Sequence, residues 1–102
     1  MILVYQIEDL NSAREYLAGT NKPLIITNSL DIVKYYGFLT LDYIFTTLSK
    51  EFSQIAAVIA NIGDDHSALF TALKLNYHNI KYTGNSNTAK IMLAYRAVYY
   101  TD

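Results

Sequence analysis

The stretch "AAVIANIGDDHSALF", residues 56–70, decides how this chain is read. Its first half, "AAVIANI" (56–62), is apolar through its centre. Strands look like this when helices cover both faces of a parallel sheet. The second half turns polar at Asp64, Asp65, His66 and Ser67. It then places Ala68, Leu69, Ala72 and Leu73 on one side of a helix. A strand that passes through a polar junction into an amphipathic helix is one βα unit, and the rest of the chain repeats it.

Upstream, "ILVYQI" (2–7) is β-branched and aromatic, as a buried strand is. "EDLNSAREYLAG" (8–19) spaces Leu10, Ala13, Tyr16 and Leu17 by three and four residues, and Gly19 suits a helix end. Pro23 introduces a second strand, "LIITN" (24–28). In "SLDIVKYYGFLTLDYIFTTLSKEF" (29–52), Leu41, Ile44, Phe45, Leu48 and Phe52 form a helical stripe from about Thr40 onward. Ile32, Val33, Tyr35 and Tyr36 suggest an earlier helical turn, and Gly37 bends or breaks the chain, so one helix and two both fit.

Downstream, residues 64–77 read as a helix, with Asn76 where a left-handed C-cap falls. "NIKYT" (79–83) is a fourth strand and "NTAKIMLAYRAVYY" (87–100) a closing helix. The pattern is βαβαβαβα. Strands joined by helices run parallel, with right-handed crossovers. The expectation is one Rossmann-like or flavodoxin-like α/β domain over residues 1–102. It would have three layers: a four-stranded parallel sheet, order 2-1-3-4 favoured, with helices on both faces.

At 102 residues the chain supports one modest core, and 52% apolar content argues against disorder. Net charge is −1 with no basic cluster, which argues against nucleic-acid binding. Cysteine is absent, which excludes disulfides, a thiol nucleophile and thiolate metal sites. The opening "MILVYQIEDL" lacks the basic start of a signal peptide. No apolar run approaches the roughly 18–20 residues of a membrane span. A cytoplasmic location without membrane contact is expected. The ten tyrosines fit either mutational bias or a contact surface.

In open parallel sheets ligands bind beyond the carboxyl ends of the strands. Loops there would present Asn28 and Ser29, Asn61, Asp64, Asp65 and His66, and Thr83 and Ser86. His66 could serve as a general base oriented by Asp64 or Asp65, with Asn28, Ser29, Asn61, Thr83 and Ser86 as ligand contacts. The competing reading is structural, because the first amides of a helix need partners and Ser, Asp and Asn side chains supply them. Ser29 or Asp31, Asp64 or Asp65, and Asn85, Ser86 or Asn87 are placed to cap. No metal-ligand spacing, phosphate loop or cofactor motif is present, so no cofactor and no metal are expected.

Two resemblances add to this. "AAVIANIGDDHSALFTALKLNYHNIKYTGNSNTAKIMLAYRAV" resembles the last two βα units of response-regulator receiver domains. The phosphotransfer residues do not carry over, since Asn61 stands near the hydroxyl position and Thr83 where the lysine belongs. Over most of its length the chain is more similar to a group of short uncharacterised bacterial α/β proteins. The likeness rests on "IGDDHSALFTALKLNYHNIKYTG" (62–84) and "YYGF" (35–38), and it implies a fold without implying an activity.

The function expected is therefore a non-catalytic α/β module that self-associates or binds a protein partner. Tyr95, Val98, Tyr99 and Tyr100 on the closing helix are the expected interface. The alternative is a small enzyme or ligand-binding domain centred on His66.

Overall fold

The structure, a computed structural model, describes residues 3–96 and 98–100, with side chains as far as Leu93. The elements follow one another as β1 (Leu3–Ile7), α1 (Leu10–Ala18), β2 (Leu24–Asn28), α2 (Leu30–Tyr36) and α3 (Phe38–Glu51). Then come β3 (Ile55–Gly63), α4 (His66–Lys74), β4 (Asn79–Tyr82), α5 (Asn87–Arg96) and β5 (Val98–Tyr100). The α/β class and the parallel pairing expected from the repeated βα pattern are present.

Strand order is β1-β2-β3-β4-β5, which corrects the expected 2-1-3-4. β1 therefore lies at an edge, and its composition suits that place. Leu3, Val4 and Gln6 are exposed and Ile7 alone is buried. The order 2-1-3-4 presumed that β1 was an interior strand, but each crossover here joins a strand to its immediate neighbour. The closing helix is also shorter than expected. It stops at Arg96, and Val98–Tyr100 instead pair in parallel with Asn79–Lys81 of β4. A β-branched residue followed by two aromatics suits a pleated surface better than a helix.

The chain falls into two compact units, Met1–Val58 and Ile59–Asp102. In the first, β1 pairs with β2 from Leu3↔Leu24 to Ile7↔Asn28. Asp9 caps α1 by accepting from the Ser12 amide at 2.8 Å, and that bond holds its carboxyl below the ordinary range. Ala13 and Leu17, one turn apart, form the buried side of α1. Tyr16 stacks on Tyr5 of β1, with ring centroids 3.9 Å apart and planes 3° from parallel. Burial, and next the neighbouring Tyr16, push the Tyr5 phenol up.

Gln54 ties the end of α1 down. Its side-chain amide donates to the carbonyls of Leu17 and Thr20, each at 2.9 Å, while its own backbone carbonyl accepts from Leu24. Arg14 of α1 grips Glu51 of α3 through two bonds, Nε to Oε1 at 2.9 Å and Nη2 to Oε2 at 2.6 Å.

Gly37 settles the question of one helix or two. Its φ of +86° and ψ of 166° end α2 and start α3. That backbone region is open to glycine almost alone. Leu41, Ile44, Phe45 and Leu48 of the expected stripe are buried, joined by Phe38.

In the second unit β3 pairs with β4, with an irregularity between Asn61 and Gly63. α4 ends as expected at Asn76, whose φ is +63°. The Asn76 amide donates to Leu73 and the Tyr77 amide to Ala72, the two reversed bonds of a Schellman ending.

Helices on both faces would bury alternate strand residues equally. On β2, Leu24, Ile26 and Asn28 are buried while Ile25 and Thr27 are half-buried. On β4, Ile80 and Tyr82 are buried while Asn79 and Lys81 are half-buried. Each of these strands thus has one well-covered face and one partly covered face.

Candidate functional site

The rim residues sort by unit. In the first, Asn28 is fully buried at the end of β2, and its side-chain amide donates to the Ser29 carbonyl at 2.9 Å. Ser29 precedes α2, and its amide donates to Ile7 at 3.1 Å. Its hydroxyl makes no capping bond and, among the described residues, is buried without a hydrogen-bond partner.

The second unit brings the remaining rim residues together. Asp65 caps α4, accepting from the Ala68 amide at 2.9 Å. Ser86 does the same for α5, accepting from the Ala89 amide at 3.2 Å. Asn61 Oδ1 accepts from the Gly63 amide, and the Thr83 amide donates to the Gly63 carbonyl at 2.8 Å. Asp64, Asp65, His66 and Ser67 are all exposed. Among the described residues no hydrogen bond joins His66 to Asp64 or Asp65. Asp65 Oδ1 is instead turned to the Ala68 amide of α4. The junction therefore assembles caps, with the imidazole beside them.

Sequence reasoning passed over Tyr82. Its ring is fully buried, 5.8 Å from the His66 ring, and among the described residues its hydroxyl has no hydrogen-bond partner. The ring lies against Gly84, where an added Cβ would overlap the hydroxyl and ring carbons of Tyr82. The signal was present in the alternation of "NIKY", which puts Tyr82 on the same face as Ile80. No group of three or more His, Asp or Glu side chains capable of holding a metal occurs among the described residues. No helix among them is long and apolar enough to cross a membrane.

The expected interface on the closing helix is recast. The side chains of Tyr95, Val98, Tyr99 and Tyr100 lie outside the described residues. The backbone puts Val98–Tyr100 in β5, so these three do not share a helix side with Tyr95.

A different aromatic surface emerges in the first unit. Tyr35 and Tyr36 close α2 and are 67% and 72% exposed; Leu39 and Tyr43 open α3 and are 68% and 62% exposed. Leu39 and Tyr43 are four residues apart and share a helix side. The Thr40 hydroxyl donates to the Tyr36 carbonyl at 3.0 Å across Gly37, which joins the end of α2 to the first turn of α3. Lys34 sits 5.5 Å from the centroid of the Tyr35 ring. The first turns of α3 thus carry apolar residues on two sides, Phe38, Leu41, Ile44 and Phe45 in the core and Leu39 and Tyr43 exposed.

No protein-family model matches the sequence, and no solved structure matches the chain. The chain is 48% identical over 95 residues to "Uncharacterized protein RP547" of Rickettsia prowazekii (strain Madrid E). That alignment covers 92% of this chain and 90% of the Rickettsia protein. With nearly half the residues shared across nearly the whole of both chains, this protein belongs to the same family as the Rickettsia protein.

Proposed function

We propose that this chain is a non-catalytic α/β module that works by docking onto protein, through the outer face of α2 and α3. One observation carries the reading: three tyrosines and a leucine stand about two-thirds exposed within residues 35–43. Single exposed apolar residues are ordinary on a protein surface, whereas four this exposed within nine residues support a contact surface. Tyrosine suits such a place because its ring is apolar while its hydroxyl tolerates water.

The test is a photo-reactive residue at position 39 or at position 66, in the full chain expressed in cells. Docking through α2 and α3 predicts a protein adduct from position 39 that Tyr43→Ser suppresses, and none from position 66. Equal yields at the two positions, or none at either, would remove the reading.

A second reading rests on Tyr82. Its buried hydroxyl without a partner, beside His66, supports a ligand site at the carboxyl ends of β3 and β4. It predicts a thermal shift with a nucleotide, sugar phosphate or divalent metal that His66→Ala abolishes while the fold persists.

A further inference from the structure

We infer that the start of α5 binds a phosphate group, held by backbone amides of residues 84–88 and by the Tyr82 hydroxyl. The inference rests on the ligand-site reading above and names its ligand.

The Tyr82 hydroxyl carries it. Tyr82 is fully buried, and among the described residues its hydroxyl has no hydrogen-bond partner. Folded proteins seldom leave a buried polar atom unpaired, and an ion or water bound there in solution is one of the usual reasons. Phenylalanine would fill the same space without the unpaired oxygen. A Cβ added at Gly84 would overlap that oxygen, so the hydroxyl ends against the loop backbone. Gly84 stands two residues before Ser86, the cap of α5. The phenol is thus aimed at the loop that starts this helix.

That loop is rich in donors. The Ala89 and Lys90 amides donate to Ser86, at 3.2 and 3.1 Å. The amides of Gly84, Asn85, Asn87 and Thr88 make no hydrogen bond among the described residues. The first amides of a helix lack an intrahelical partner and lie at its positive end, which is why helix starts hold anions.

The sign of the ligand follows from the groups present. Residues 79–96 include Lys81, Lys90 and Arg96 and no aspartate or glutamate. Ser86, the cap of α5, is neutral, whereas the Asp65 carboxylate caps α4. A carboxylate at a helix start already complements the dipole, so α4 has no need of an anion and α5 does. A metal cation would find no carboxylate in this segment. A phosphoryl group presents three acceptor oxygens, enough to take loop amides and the phenol together.

The experiment is amide NMR on the isotope-labelled full chain, titrated with inorganic phosphate against sodium chloride of equal ionic strength. Glycerol phosphate, with glycerol as its neutral control, is titrated in parallel. Phosphate should shift the amides of Gly84, Asn85, Asn87 and Thr88 saturably, and chloride should not. Tyr82→Phe should bind phosphate about tenfold more weakly, the worth of one hydrogen bond to a charged group, while melting no lower than wild type. Tighter binding of glycerol phosphate assigns the site to a phosphorylated compound, and equal binding to free phosphate. Shifts no larger than those from chloride overturn the inference. So do shifts centred on His66 and Ser67, or a Tyr82→Phe variant that binds as wild type does. If phosphate fails while a divalent metal gives a thermal shift that His66→Ala abolishes, the inference falls and the ligand site stands. With no shift from either, both fall. Should Tyr82→Phe fail to fold, the positions of the shifted amides in the wild type decide.

Discussion

At the scale of single residues, the junction before α4 resolves into separate tasks. Asp65 is committed to the Ala68 amide, and Tyr82 lies buried against Gly84, its hydroxyl without a partner among the described residues. Asp65→Ala should cost about 1 kcal/mol in urea unfolding, the usual penalty for losing a helix cap. An effect near zero would show that the cap contributes nothing. A buried hydroxyl without a partner costs on the order of 1–3 kcal/mol, so Tyr82→Phe should leave stability unchanged or raise it by about 1 kcal/mol. A clear loss on that substitution would mean that the hydroxyl holds a bond in solution.

The cap at Asp65 was legible because capping is local chemistry, written within four residues. Tyr82 was not, because its environment depends on Gly84 and on which strand face is covered. The exposed group from Tyr35 to Tyr43 was hidden for a related reason. Periodicity identifies an apolar side of α3, but its first turns carry Leu39 and Tyr43 as well, and only packing shows which residues are inside.

At the scale of elements, Gly37 is the joint between α2 and α3. Its backbone separates α2 from α3 and sets Tyr36 beside the first turn of α3. A Cβ at Gly37 would meet open space, so Gly37→Ala suffers backbone strain alone. We expect a loss of about 1–3 kcal/mol in chemical unfolding. A fully tolerated alanine would contradict the positive φ.

Asn76 was legible in the sequence, since a left-handed helix ending leaves few residue choices. Strand order was not, because sheet neighbours are set by non-local pairing that no window of sequence contains. β5 escaped for a third reason: three residues following a helical pattern are too few to show an alternation of their own.

At the scale of the whole molecule, acid stability and assembly test the arrangement. Bonding to Ser12 lowers the Asp9 carboxyl, and bonding to Arg14 lowers that of Glu51. Carboxylates bound this way stabilise the fold above their ordinary values of 3.8 and 4.5, and that contribution fades as pH falls through the lowered values. Thermal melts should therefore show Glu51→Gln closest to wild type in acid and furthest below it at neutral pH. A gap independent of pH would count against the ion pair.

The central proposal is that the outer face of α2 and α3 docks onto protein. Hydroxyl-radical footprinting of the full chain, run inside cells and on the dilute purified chain, tests it most directly. Oxidation of Tyr35, Tyr36 and Tyr43 should be lower in cells, relative to that of exposed His66 and Phe70, than in the dilute purified chain. Equal relative oxidation of the three tyrosines in both settings would contradict the proposal.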